Sequence, residues 1–176
     1  PGIFPPSIDL TRGGGTLTIG FDVSTPRRWS AIPLRLIVGY GFITHGYAKL
    51  VNGPDHFAVS LQALGVPAPH LMAWSTIGFE FLGGLAVLLG AYIPLTSLPL
   101  TVILLVAVTT VHLPYGFSSI KLRAVTATGP QFGPPGYETD LLYIAALATL
   151  VLGGSGPLAA DKWLPRFGEN GAGESQ

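Results

Sequence analysis

Cysteine is absent from this 176-residue chain, and methionine occurs once. Without thiols there can be no disulfide, thiolate nucleophile, cysteine-held iron–sulfur cluster or cysteine-type zinc site. The same absence leaves the redox compartment open. Charge is scarce too: 10% of residues are charged, where a soluble domain carries about 25%. Nine basic and nine acidic residues cancel, so no net field draws nucleic acid, which is excluded as a partner. The sequence shows no dinucleotide, flavin or cluster motif, and no metal site is expected. Such a chain is not a complete oxidoreductase by itself. It opens at Pro1 without a charged n-region and cleavage site, as a processed or incomplete N-terminus would.

What is present is apolar. Hydrophobic residues make up 48% of the chain, and its mean hydropathy is +0.52. The composition reads as a membrane protein. A soluble all-α core would need a polar outer face that this sequence lacks. Residues 29–51, 71–93, 98–115 and 137–154 are each apolar over nearly the length of about 20 residues that a helix needs to cross a bilayer. The expectation is an all-α integral membrane four-helix bundle running up-down-up-down. Pro99 is placed in a first helical turn and Pro114 at a helix end. Trp29, Tyr92 and Trp163 fall at one set of ends, Tyr47, Trp74, Tyr115 and Tyr137 near the other, as interfacial aromatic belts do. Glycines at 39, 41 and 46, and at 78, 83, 84 and 90, are expected to let helices one and two approach closely.

The connections are unequal. Residues 94–97 (PLTS) are read as the short turn between helices two and three, while both longer connections lie on the opposite membrane face. In the first, DHFAVSLQALG puts Phe57, Leu61 and Leu64 on one helical face, with Asp55 as a cap and Gly65 as a stop. That predicts a short interfacial helix between spans one and two. The second, including KLRAVTATGPQFGPPG, is too rich in Gly and Pro for another span, and long loops of this kind are functional or disordered. The chain thus divides into a Gly/Pro-rich N-terminal extension (1–28), a transmembrane domain (29–155) and a C-terminal tail (156–176). The tails carry too little apolar sequence to fold alone, so other subunits are expected partners alongside the lipid bilayer. Arg27, Arg28, Lys162 and Arg166 on the terminal face, against Lys49, Lys121 and Arg123 on the other, predict that both termini are cytoplasmic; the expected location is a bacterial or archaeal cell membrane.

Ionisable residues inside the apolar segments carry the candidate chemistry. At about 1.5 Å per residue, His45 lies roughly 9 Å and Glu80 roughly 13 Å beneath the long-loop face. His112, Lys49, Glu138 and Asp140 lie near the same face, and Arg35 belongs to the other half. His45 and Lys49, spaced i and i+4, are expected to share a polar pocket with Glu80. An acid near mid-bilayer costs about 2.5–3.5 kcal/mol even on the lenient scale and implies a function. Glu80, His45 and Lys49 are therefore the candidate proton-handling residues. His45, His112, Glu80 and Tyr137 are the candidate cofactor contacts. Each has a structural alternative: Lys49 and Arg35 can snorkel, His112 can bond a carbonyl, Glu138 and Asp140 suit a helix N-terminus, and Glu80 can pair to hold the helices together.

These residues also carry a resemblance. LRLIVGYGFITHGYAKL, FAVSLQALGVPAP, GFEFLGGLAVLLG and HLPYGF, with GYETDLLYIAALATLVLGGSGPLAADKWL at the end, are similar to the DoxX family of small four-helix membrane proteins. The likeness runs over about residues 30 to 165. On its recurrent positions fall Arg35, His45, Gly46, Lys49, Glu80, Gly83, Gly84, Gly90, Gly136, Tyr137 and Glu138. Asp140 departs from it, since an apolar residue is more usual there. The resemblance implies a membrane subunit, in some relatives of thiosulfate:quinone oxidoreductases and in others of redox-stress complexes. The leading expectation is an accessory or anchoring subunit of a redox or energy-converting membrane complex. The alternative is a quinone-interacting subunit using His45, Lys49 and Glu80, with electrons from a partner. Lower alternatives are a haem or chlorophyll-type pigment held by His45 and His112, and a small-solute transporter.

Overall fold

The computed structural model describes residues 12–13, 16–17 and 29–163. Two short strands, β1 (Arg12–Gly13) and β2 (Thr16–Leu17), pair antiparallel. The remainder of the N-terminal extension and the last residues of the tail, where ordering on partner subunits was expected, lie outside the described residues. The body is mostly helical. Five helices, α1 (Ala31–Val51), α2 (Pro54–Ala63), α3 (Pro69–Leu89), α4 (Ile93–Ala107) and α5 (Glu138–Gly153), follow in order. A π-helical turn (Val108–His112) and a 3₁₀ turn (Leu113–Tyr115) extend α4. A hairpin of β3 (Leu122–Thr126) and β4 (Gly129–Phe132) fills the second long connection.

Local chemistry explains most of the boundaries. Pro54 opens α2 in the first turn, where its missing N–H costs nothing. Gly65 closes it at φ +77°: its N–H reaches Gln62 O, and that of Val66 reaches Leu61 O, both at 3.0 Å, the Schellman arrangement that satisfies a helix's last carbonyls. Asp55 lies in the first turn of α2 but makes no side-chain cap. The expected turn at 94–97 is inside α4; the chain reverses instead through Gly90, Ala91 and Tyr92. Pro94 takes the first helical turn, and Pro99 sits inside the helix. The reversal works because the Asp161 carboxylate accepts the Tyr92 N–H at 2.5 Å and so caps α4 from a distant part of the chain. Made between residues 69 positions apart, this cap could not be read as a local signal.

α1, α3, α4 and α5 pack in a ring, α1 against α3 and α5, and α4 against the same two. α1 and α3 run antiparallel, with Gly39 against Gly84 and Leu88 and, further along, Gly46 against Ile77 and Phe81. A Cβ on Gly39 would lie 2.7 Å from Gly84 O, and one on Gly84 2.8 Å from Gly39 O. Of the glycines expected at this seam, 39, 46 and 84 form it. Gly41 instead accommodates Tyr143 of α5, Gly83 faces Leu100 of α4, Gly90 makes room for Arg35, and Gly78 meets nothing within 4 Å. The apolar core gathers Val38 and Phe42, Val87, Leu100 and Leu104, and Leu147 and Leu150 from the four helices. Phe42 and Tyr143 meet edge to face at 5.3 Å, which joins α1 to α5.

Among the described residues two segments are long and apolar enough to cross a membrane, Pro69–Leu89 and Ile93–Tyr115. Length and composition thus mark two spans where four were expected. α1 carries Arg35, His45 and Lys49, and α5 has only 16 residues with two acids in its first turn. After α5 the chain folds back over the α3–α4 reversal, with Ala159 fully buried and the Asp161 N–H donating to Gly90 O at 3.1 Å.

Candidate functional site

Polar side chains meet at both ends of the helix ring, with the apolar core between them. At the long-connection end, Lys49 Nζ donates to Oε1 and Oε2 of Glu80 at 2.6 and 2.5 Å. Glu80 is 4% exposed; the Lys49 side chain keeps 25% of its surface open. The ammonium also lies 5.4 Å from the ring centroid of Phe57 on α2, within cation–π range. One lysine therefore ties α1 to both α3 and the short helix. Gly46 permits this by bringing α1 against α3 at the level of Glu80.

His45 does not join them. Its side chain is exposed, and it makes no hydrogen bond to another described side chain. The reason is phase: Gly46 is the residue that faces α3, and one residue earlier the helix has turned by about 100°. Lys49 is also off that line, but its flexible four-carbon stem spans the gap. The shared His45/Lys49/Glu80 pocket is thus a Lys49–Glu80 pair alone.

A second pair closes the other two helices. His112 Nδ1 meets Asp140 Oδ2 at 2.5 Å, with Asp140 buried. It links the π turn after α4 to α5. Asp140, read from the sequence as a helix-start acid and as a departure from the family pattern, is thereby explained as the partner of His112. His112 is the last residue of the π turn, and such turns are frequent at functional sites. Tyr137 is the N-cap residue of α5, and its ring packs edge to face on Phe117 at 5.7 Å. Glu138 Oε2 accepts the Ser119 N–H at 3.0 Å. Both residues fasten the preceding loop to α5. Gly136 is indispensable there, since a Cβ would fall 2.0 Å from Gly116 O. Among the described residues no three His, Asp or Glu side chains gather as metal ligands, so Glu80 does not join His112 and Asp140.

Arg35 anchors the opposite end. Its guanidinium donates to Leu88 O at 2.9 Å, Ser155 O at 3.1 Å and Pro157 O at 3.2 Å, with longer contacts to Val87 O and Leu158 O. The side chain does not snorkel; Arg35 is buried. Leu88 O and Val87 O lie in the last turn of α3, where a cation is favoured; Val87 O also accepts the Gly90 N–H at 3.0 Å. Asp161 supplies the compensating negative charge. Gly90 must lack a side chain, because a Cβ would approach Arg35 Cζ at 2.7 Å. The sequence marked Arg35 as out of place but offered no sign that its partners are backbone carbonyls.

The family model described as DoxX matches residues 30–113, from the start of α1 to the end of the π turn. Gly136, Tyr137, Glu138 and the rest of α5 lie beyond that match. No curated protein and no solved structure matches the chain.

Proposed function

We propose, from the premise that residues 30–113 of this chain are a DoxX family domain, that the protein is a membrane scaffold anchoring other subunits of a redox or energy-converting assembly. In this reading α1, α3, α4 with its extension to Tyr115, and α5 cross the bilayer up-down-up-down. α2 lies in the interface. Both termini are on the cytoplasmic side, and the extension 1–28 and tail 156–176 contact partner chains.

One observation carries the reading. The ionisable groups inside the ring are engaged by other parts of the same chain: Lys49 with Glu80, His112 with Asp140, and Arg35 with backbone carbonyls. Each link joins different helices. The outward faces meanwhile present large apolar side chains, among them Ile37 and Tyr40 on α1, Leu82 on α3, Leu98 on α4 and Leu142 on α5. In a bilayer such faces meet lipid tails or other apolar helices. Polar residues spent on internal links and apolar residues left outside are what a passive anchor requires. A quinone-handling cluster would instead leave donors open toward a cleft, and Lys49 and Glu80 satisfy each other.

Purification of the tagged chain from its native membranes in mild detergent tests this. We expect partner chains at fixed stoichiometry, and no quinone retained in proportion to the chain. Recovery of the chain alone, carrying one equivalent of quinone, would reverse the assignment in favour of the quinone-interacting alternative.

A further inference from the structure

The β3–β4 hairpin stands apart from the helices, its two strands packing chiefly on each other. All of β3 is exposed. Ile120 and Val125 are 76% and 75% exposed, and Leu122 and its cross-strand neighbour Phe132 are also largely open. Residues 117–136 contain Lys121 and Arg123 and no acid. An exposed apolar patch of this kind marks a contact surface. Its position is fixed rather than loose: Gly133 N–H donates to Lys121 O at 2.8 Å, Gly136 N–H to Ser118 O at 3.0 Å, and Glu138 holds Ser119. Those bonds pin the hairpin base to the first turn of α5.

We propose that this hairpin is a lipid-contact element that lies on the bilayer surface and binds anionic phospholipid headgroups. The inference rests on the reading that α4 and α5 span the membrane, because that puts the hairpin base at headgroup level. Charge complementarity selects the occupant. A purely cationic segment beside apolar and aromatic side chains matches a layer of phosphates over acyl chains: the apolar residues enter the boundary and the cations meet the phosphates. A protein partner would need acids of its own arranged for Lys121 and Arg123, and nothing else in the hairpin, such as an acidic side chain, points to directional pairing.

The lack of native cysteine makes the test direct. Full-length protein with Val125→Cys, carrying an environment-sensitive fluorophore, is placed in nanodiscs of neutral phosphatidylcholine or of phosphatidylcholine mixed with phosphatidylglycerol. A second protein with Val102→Cys on the exposed side of α4 reports the span itself. The Val125 label should shift to the blue and be quenched by spin-labelled lipid in the anionic discs, and much less in the neutral ones. Lys121→Gln and Arg123→Gln should each weaken that anionic preference about five-fold. Arg123→Lys, which keeps the charge, should retain it. A Val125 label that stays in water in both discs, or is buried equally in both, overturns the proposal while a buried Val102 label leaves the span reading intact. A Val102 label in water overturns the span reading and the proposal with it.

Discussion

Arg35→Met is expected to lower the thermal unfolding midpoint of the detergent-solubilised chain by roughly 10 °C, the largest loss of any single polar substitution. The guanidinium reaches carbonyls of α3 and of residues 155–158 at once. Methionine fills much of the volume but donates nothing, so buried acceptors lose their partner. Each buried acceptor left without its donor costs about 1–3 kcal/mol, and for a chain of this length each kcal/mol moves the midpoint by about 2–4 °C. Arg35→Lys should recover only part of the loss, since a point charge cannot fork across several acceptors. Scanning fluorimetry of the three proteins in one detergent decides the matter. A midpoint for Arg35→Met within about 2 °C of wild type, less than 1 kcal/mol on that scale, would remove the clamp from the account.

The second large effect belongs to the glycine seam, and its sign can be argued in advance. Glycine to alanine inside a helix ordinarily stabilises by roughly 0.5–1 kcal/mol. At Gly84 the new Cβ would meet Gly39 O and Ile43 N at 2.8 Å, both backbone atoms that cannot step aside. Overpacking of this kind costs about 1–3 kcal/mol or more, so the clash outweighs the propensity gain and α1 separates from α3. Gly84→Val should be worse still, dissociating the Lys49–Glu80 link along with the seam. Gly78→Ala, on the same helix with open space around it, should be neutral or slightly stabilising. Unfolding midpoints for Gly84→Ala and Gly78→Ala that move in the same direction would contradict the seam.

Glu80 was legible because an acid in an apolar run is expensive wherever it goes, and a cation one helix away was the cheapest relief. The short helix α2 was legible because Gly65 and the spacing of Phe57 and Leu61 are local signals. His45 was misplaced because i and i+4 spacing fixes the angle between two residues, not the direction in which the pair faces. That direction was set by Gly46 against α3. The His112–Asp140 pair was missed because it depends on a π turn, which has no signature in a 3.6-residue period. The hairpin was missed because its two-residue connection, Ala127 and Thr128, carries none of the Asn-Gly or Asp-Gly signals that announce such turns. Caps made across the chain, Asp161 on Tyr92 and Arg35 on Leu88, are tertiary contacts and leave no local trace.

The paired charges within the helices act as latches between them. A double-mutant cycle on Lys49 and Glu80, read as thermal midpoints of four proteins in one detergent, tests this most directly. Lys49→Met strands a nearly buried carboxylate; with Lys49 itself partly exposed, the cost should approach, without reaching, the roughly 3–5 kcal/mol of breaking a fully buried pair. Glu80→Leu leaves a partly exposed lysine able to reach the interface, so it should cost less. The charge-free double variant, with apolar groups packed in place of both, should return to within about 1 kcal/mol of wild type, because the burial penalty disappears with the pair. Losses that simply add, or single variants as stable as the parent, would show that Lys49 and Glu80 are not holding α1 to α3.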